Sequence, residues 1–222
     1  MRSDLEIRND VLAELKWEPN LDETQIGVIV EDGVVTLSGQ VDDYQKKVAA
    51  NKAAKRVFGV KAVAEDIEVK YGDDYKKTDK EIAKAAVKAL EWNTTVPQDS
   101  ITIFVEDGYI YLSGIVQWEY QKDAASWELQ NLLGVKEVVN NINIIPEKKS
   151  LNIEEQISNA LERSVFLRDK GIRVQVDGST VQLKGRVHSL WEKEKAEKTA
   201  YLAPGVKKVQ NDIIIQAYPE FA

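Results

Sequence analysis

The side chains that most often carry chemistry are scarce in this chain of 222 residues: it has no cysteine and one histidine, His188. Without thiols, disulfides, thiolate catalysis and thiolate metal sites are excluded, and one imidazole cannot hold a transition metal alone. Carboxylates are abundant, but Asp42-Asp43, Asp73-Asp74 and Glu154-Glu155 fall near expected helix starts or junctions, where negative charge suits the helix dipole. No run sets oxygens around a central glycine and closes on Glu, as a Ca²⁺ loop requires, and the Gly-x-x-x-x-Gly-Lys phosphate loop is absent. Ser38 and Ser113 precede a strand glycine with no histidine in their own stretch of chain, so neither has a base to activate it. The expectation is a protein that is not an enzyme, with no cofactor and no metal.

Charge and aromatic residues say more. The net charge is −7, against the basic excess of a nucleic-acid binder. Its distribution is uneven: −4 over residues 1–70, −4 over 71–149 and +1 over 150–222. Only the last stretch could approach an anionic surface without general repulsion. There Arg186, His188, Lys193 and Lys195 gather near Trp191, and Arg163, Arg168, Lys170 and Arg173 form a second group. Aromatic residues recur at corresponding places earlier in the chain, Tyr44 and then Trp118 with Tyr120. Trp and Tyr suit a membrane interface or a partner surface, and they equally suit packing between domains. Trp17 and Trp92 are read as inter-domain or rim residues.

The elements that must position these groups come in triplicate. Asp32-Gly33 to Gly39, Asp107-Gly108 to Gly114 and Asp177-Gly178 to Gly185 are versions of one segment, and Gly59, Gly134 and Gly205 each follow the last glycine by 20 residues. A Val-x-x-x-Ile strand closes each copy. Ahead of each turn runs an amphipathic stripe: Ile7, Val11 and Leu15; Ile82, Ala86 and Leu90; Ile157, Leu161 and Val165. Candidate caps are Ser3 or Asp4, Thr78 or Asp79, and Asn152. Alternating runs around Asp-Gly predict a hairpin, with one extra residue in the third copy read as a longer turn or bulge. A second helix is expected near 43–57, 118–132 and 189–203. Its small inner face is Ala50, Ala54 and Val57; Ala125, Leu129 and Leu132; Ala196, Ala200 and Ala203. Gly59, Gly134 and Gly205 stand where a helix ends in a left-handed residue.

The fold class is therefore α+β: three tandem αββαβ domains, each a small three-stranded mixed sheet with two helices packed on one face. The expected boundaries are 1–71, 77–146 and 151–217, with short junctions at Tyr71–Thr78 and Pro146–Leu151. No stretch is long and apolar enough to span a bilayer. The polar N-terminus reads as cytoplasmic as it stands, and as periplasmic where a secretion signal has been removed.

The run Ile-x-Val-x-Val, then Asp-Gly-x-Val-x-Leu-x-Gly-x-Val, an Ala-rich helix, Gly-Val and Val-x-Asn-x-Ile resembles the BON domain, the bacterial osmotic-stress and nodulation domain. The third copy is nearest, with Gly185-Arg-Val-His-Ser189, Gly205-Val206 and Val209-Gln-Asn211. The resemblance implies no catalysis and a role in phospholipid binding or envelope and osmotic-stress protection. On that basis the chain is expected to associate with anionic phospholipid through Arg186, His188, Trp191 and Lys193, with Trp118, Tyr120 and Tyr44 as further contacts. The alternatives are a soluble protein–protein interaction scaffold and a small-ion or ligand sensor.

Overall fold

The computed structural model describes residues 2–146 and 152–216. Among these the order αββαβ occurs three times. Repeat 1 has α1 (Asp4–Trp17), β1 (Ile26–Glu31), β2 (Val34–Val41), α2 (Tyr44–Arg56) and β3 (Ala62–Val69). Repeat 2 has α3 (Asp79–Trp92), β4 (Ile101–Glu106), β5 (Tyr109–Val116), α4 (Glu119–Leu129) and β6 (Glu137–Ile144). Repeat 3 has α5 (Ile153–Arg163), β7 (Arg173–Asp177), β8 (Thr180–Val187), α6 (Leu190–Tyr201) and β9 (Lys208–Ile215). Each sheet has three strands with the hairpin's second strand central. β4–β5 and β7–β8 pair antiparallel, whereas β5–β6 and β8–β9 pair parallel after the helical crossover.

Alternation decides which side of each sheet the helices cover. Val35 and Leu37, Ile110 and Leu112, and Val181 and Leu183 all point inward and are fully buried. In repeat 3 they join Ile157, Leu161, Ala196, Ala200 and Ile213 in one core. The small helix positions Ala50, Ala54, Ala125, Ala196 and Ala200 have no exposed surface, which lets each second helix lie close on its sheet. Leu132 is half-buried rather than core, because α4 ends at Leu129.

The first helices carry capping boxes in repeats 1 and 2. Ser3 and Thr78 cap, and the backbone N–H groups of Ser3 and Thr78 donate back to Glu6 and Glu81 at 2.8 and 2.9 Å. Those bonds hold both glutamates below the usual carboxylate range. Asp4 and Asp79 have another task. The Asp4 carboxylate accepts from Asp32 N–H and Gly33 N–H at 2.9 Å each, and Asp79 does the same for Asp107 and Gly108. A helix start is thus tied to its own hairpin turn. The corresponding residue of repeat 3, Ser150, lies outside the described residues.

Three expectations for repeat 3 need correction. Its stripe is Ile153, Ile157 and Leu161, one turn earlier than read; Val165 lies beyond the helix and is 87% exposed. Leu167, after a turn, takes the buried place that Val165 was expected to fill. Asn152 makes no side-chain cap bond and sits in the left-handed region, with φ 62°. The third hairpin turn is no longer than the others. In repeats 1 and 2 the two turn residues are Asp-Gly, both with positive φ (51° and 79°; 51° and 82°). In repeat 3 they are Gly178-Ser179, with positive φ at Gly178 alone, a II′-like turn. The Asp-Gly pair is only shifted back by one: Asp177 closes the strand and pairs with Thr180, as Glu31 does with Val34 and Glu106 with Tyr109.

Two compact units divide the chain: Met1–Gly39 with Ala49–Ile67 and Lys148–Ala222, and Gln40–Val48 with Glu68–Glu147. Repeat 1 contributes to both, so each unit contains its own seam between repeats. The short first junction carries a 3₁₀ turn at Asp73–Tyr75, and the second falls on residues 147–151, outside those described.

Candidate functional site

The start of the second helix, where the sequence concentrates its aromatic and basic residues, is built differently in each repeat. In α2 the Asp43 carboxylate caps Lys46 N–H at 2.8 Å. In α6 Ser189 caps Glu192 N–H at 3.2 Å, while Glu192 accepts from His188 N–H at 2.7 Å. At α4 the capping position is Trp118, which has no oxygen to offer. Gln121 Oε1 reaches back instead, to the N–H groups of Gln117 and Trp118 at 3.1 Å.

The expected contact residues fall into three groups. Tyr44 is buried at 8% exposure, a correction to its reading as a surface contact. It lines a cavity of about 280 Å³ with Asp43, Tyr71 and Leu132, in the seam of the second unit. There the Tyr71 hydroxyl donates to Val135 O at 2.7 Å, and burial raises its pKa, with the Asp43 and Asp42 charges adding to the effect. His188 is half-buried in the seam of the first unit. Its ring lies 5.1 Å from that of Phe58, its Nδ1 is 3.1 Å from Gln216 O, and its carbonyl accepts from Gly59 N–H at 3.0 Å. Lys55 pairs with Glu194 across the same seam at 2.7 Å. In both seams the glycine corner after one repeat's second helix meets the second-helix start of another. His188 is thereby committed to protein contacts. Lys193 is half-buried, and its carbonyl accepts from Asn211. Trp118 stacks on Tyr120 at 6.2 Å, with Tyr120 exposed at 47%.

The third group is brought together by a loop. Ser164–Gly171, between α5 and β7, carries Val165 and Phe166, exposed at 87% and 56%. Buried Leu167 anchors it. Phe166 meets Trp191 edge-on at 4.9 Å, and Lys170 reaches Glu192 at 3.3 Å. The loop that carries Arg168 and Lys170 therefore meets the start of α6. Arg163, Arg168 and Arg173 are exposed, as is Arg186 on the outer sheet face. Lys170 is spent on its carboxylate partner, since both side chains are largely covered. Repeat 1 has Pro19 and Asn20 where Val165 and Phe166 stand, and repeat 2 has Thr94 and Thr95. The arginines stand out in the sequence, whereas Val165 fits the pattern of a core residue there. The signal that separates them is alignment of the stripes: Leu15, Leu90 and Leu161 correspond, so Val165 falls four residues beyond the last core leucine. Trp17 and Trp92, two residues after Leu15 and Leu90, are 83% and 79% exposed, so both are rim residues.

Among the described residues no cluster of His, Cys, Asp and Glu could hold a metal ion, and no helix is long and apolar enough to cross a membrane.

Comparison with known proteins places this architecture. The BON domain family model matches residues 3–71, 78–146 and 150–217. The chain is 31% identical over 148 residues to "Osmotically-inducible protein Y" of Escherichia coli (strain K12), covering 63% of this chain and 71% of that protein. Among solved structures it aligns with the C-terminal domain of CdsD, a structural protein of the Type III secretion system of Chlamydia trachomatis, at 14% identity, covering 97% of this chain and 100% of that one, with a TM-score of 0.26. The PrgH periplasmic domain aligns at 12% identity over 86% of this chain and 95% of that one, with a TM-score of 0.22. Scores this low do not establish a common arrangement. The family match covers nearly the whole chain in three consecutive blocks, and the chain belongs to the BON domain family.

Proposed function

We propose that this is a non-catalytic protein of the osmotic-stress type that docks reversibly on anionic phospholipid through the Ser164–Gly171 loop of repeat 3. The observation that carries the reading is the exposure of Val165 and Phe166 at the tip of a loop flanked by Arg163 and Arg168. An apolar tip with an arginine on either side, of which Arg168 also lies 3.9 Å from Asp169, matches the boundary between headgroups and acyl chains. Seating a Val and a Phe there contributes about 1.5–3 kcal/mol each when burial is complete. Each arginine near anionic lipid adds roughly 1 kcal/mol. The sum suits transient rather than permanent attachment. Trp191 supports Phe166 from behind, and the near-neutral charge of repeat 3 avoids the repulsion that repeats 1 and 2 would meet. Membership of the BON family and the likeness to an osmotically inducible protein support the stress role.

Flotation with phosphatidylcholine vesicles, with and without phosphatidylglycerol, tests this. The chain is expected to float only with the anionic lipid and to be released as salt rises, because screening acts over about 10 Å at 0.1 M. Val165→Ser with Phe166→Ser abolishes flotation on this reading. Absence of flotation at low salt, or full retention by the double variant, overturns it.

A further inference from the structure

We propose that the outer face of the β4–β5–β6 sheet binds a neutral, flat polysaccharide strand. The helices cover one side of this sheet, and the other side presents side chains in cross-strand rows. The middle row is Phe104, Tyr111 and Val139, directly paired across the three strands. The Phe104 and Tyr111 rings lie 5.9 Å apart, and Phe104 is 58% exposed. On one side of it runs a polar row, Thr102, Ser113 and Asn141, all exposed, followed by Ile115 beside Asn143. On the other side stand Glu106, Tyr109 and Glu137.

Charge and area choose the occupant. No outward position of β4–β6 carries Lys or Arg. Lys47 reaches the edge of the face and pairs there with Glu137 at 3.5 Å. An anionic lipid or nucleic acid would therefore meet carboxylates. Three strands about 4.8 Å apart, of six to eight residues rising about 3.3 Å each, give a face of roughly 300–400 Å². That is well short of the ~800 Å² per partner of a stable protein interface. A flat sugar ring needs little area. Its C–H face stacks on an aromatic ring, and its hydroxyls pair with amide and hydroxyl side chains, which both donate and accept. A strand laid across the sheet meets the aromatic row with its ring faces and Thr102, Ser113 and Asn141 with its edges. Repeat 3 lacks the aromatic row, since Gln175, Gln182 and Gln210 occupy the same register.

The test titrates the ¹⁵N-labelled full chain with chitohexaose and with cellohexaose, following backbone amide shifts. Shifts confined to β4–β6 are expected. The variant Phe104→Gln with Tyr111→Gln, which copies a pair that repeat 3 already carries at this register, is expected to bind about tenfold more weakly, with an unchanged melting curve. The reciprocal change, Gln175→Phe with Gln182→Tyr, is expected to bring shifts to β7–β9, and it keeps the test open whatever the first variant does to folding. No shift in β4–β6, equal binding by the Gln variant, or a concentration-dependent dimer that this variant abolishes would each overturn the assignment. Vesicle flotation unaffected by Phe104→Gln is expected, which keeps this outcome separate from that of the lipid-docking loop.

Discussion

At the middle of its outer sheet face repeat 2 carries Phe104, Tyr111 and Val139, and at the same register repeat 3 carries Gln175, Gln182 and Gln210. The inner faces of the same strands are interchangeable: Ile110 and Leu112 against Val181 and Leu183, all fully buried. The loops after the first helices diverge in the opposite sense, with Thr94-Thr95 in repeat 2 and Val165-Phe166 in repeat 3. Folding constrains the inward half of each pleat, the caps and the turn glycines. The outward half and the loop tips carry no such constraint, so each repeat holds its own chemistry there. Repeat 2 exposes aromatic surface on its sheet, and repeat 3 exposes it on a loop beside arginines.

If the shared half is what folding needs, breaking it should cost far more than altering the divergent half. A Cβ at Gly114, where φ is 140°, would sit 2.0 Å from Ser100 O; Gly39 in repeat 1 is the same, at 2.0 Å from Gln25 O. At Gly185 φ is not in the left-handed region, and the nearest atom, Ile172 Cα, is at 3.0 Å. Gly114→Ala is expected to lower stability by about 3 kcal/mol or more, and Gly185→Ala by about 1 kcal/mol. Denaturant unfolding of the two variants checks both the size and the order, and equal losses would remove this difference between repeats 2 and 3. Asp79→Ala comes next. It strips two backbone donors of a charged acceptor, and a loss of about 2 kcal/mol is expected from the same measurement.

Much of the fold was legible because these shared devices are local in sequence: an apolar residue every fourth position, Asp-Gly between alternating runs, glycine past a helix end. Repeat 3 misled where its landmarks differ. Its Asp-Gly pair stands one residue further from Gly185 than in the other repeats, and Lys149 takes the place of Ser3 and Thr78 in the sequence. Val165 then fitted a helical stripe as well as Ile153 did, and the third turn looked long because its Asp-Gly pair is shifted back by one, with Asp177 at the strand position of Glu31 and Glu106. The site was less legible. Arg163 and Arg168 were visible as a cluster, but the approach of Phe166 to Trp191 joins residues 25 apart, and only the fold brings them together. His188 and Tyr44 looked available because seam contacts, Phe58 with His188 above all, leave no pattern in a single chain.

Acid should separate the repeats more gently. Glu6 and Glu81 are held below 4.5 by bonds to their capping residues, and both are fully exposed. A carboxyl whose folded pKa is lowered contributes stability above its unfolded pKa, near 4.5, and loses that contribution as pH falls through the folded value. Amide protection in α1 and α3, taken against the intrinsic exchange rate at each pH, is therefore expected to fall below about pH 4.5, and Glu81→Gln should remove that loss of protection in α3 alone. Unchanged protection of α3 in the wild-type chain across that range would show that the box contributes nothing measurable.

The smallest effect expected is also the sharpest test of the division between constrained and free halves. Trp92 is 79% exposed at the end of α3, two residues past the buried Leu90. Its counterpart in repeat 3 is Arg163, so the position accepts a charge without loss of fold. Trp92→Arg should change the unfolding free energy by no more than about 0.5 kcal/mol, as surface substitutions away from packing features do. Leu90→Arg, two residues earlier and 2% exposed, places an unpaired charge in the core and should prevent folding of repeat 2. A loss of several kcal/mol for Trp92→Arg would mean that this ring is covered in solution, and that the rim of repeat 2 belongs with the constrained half after all.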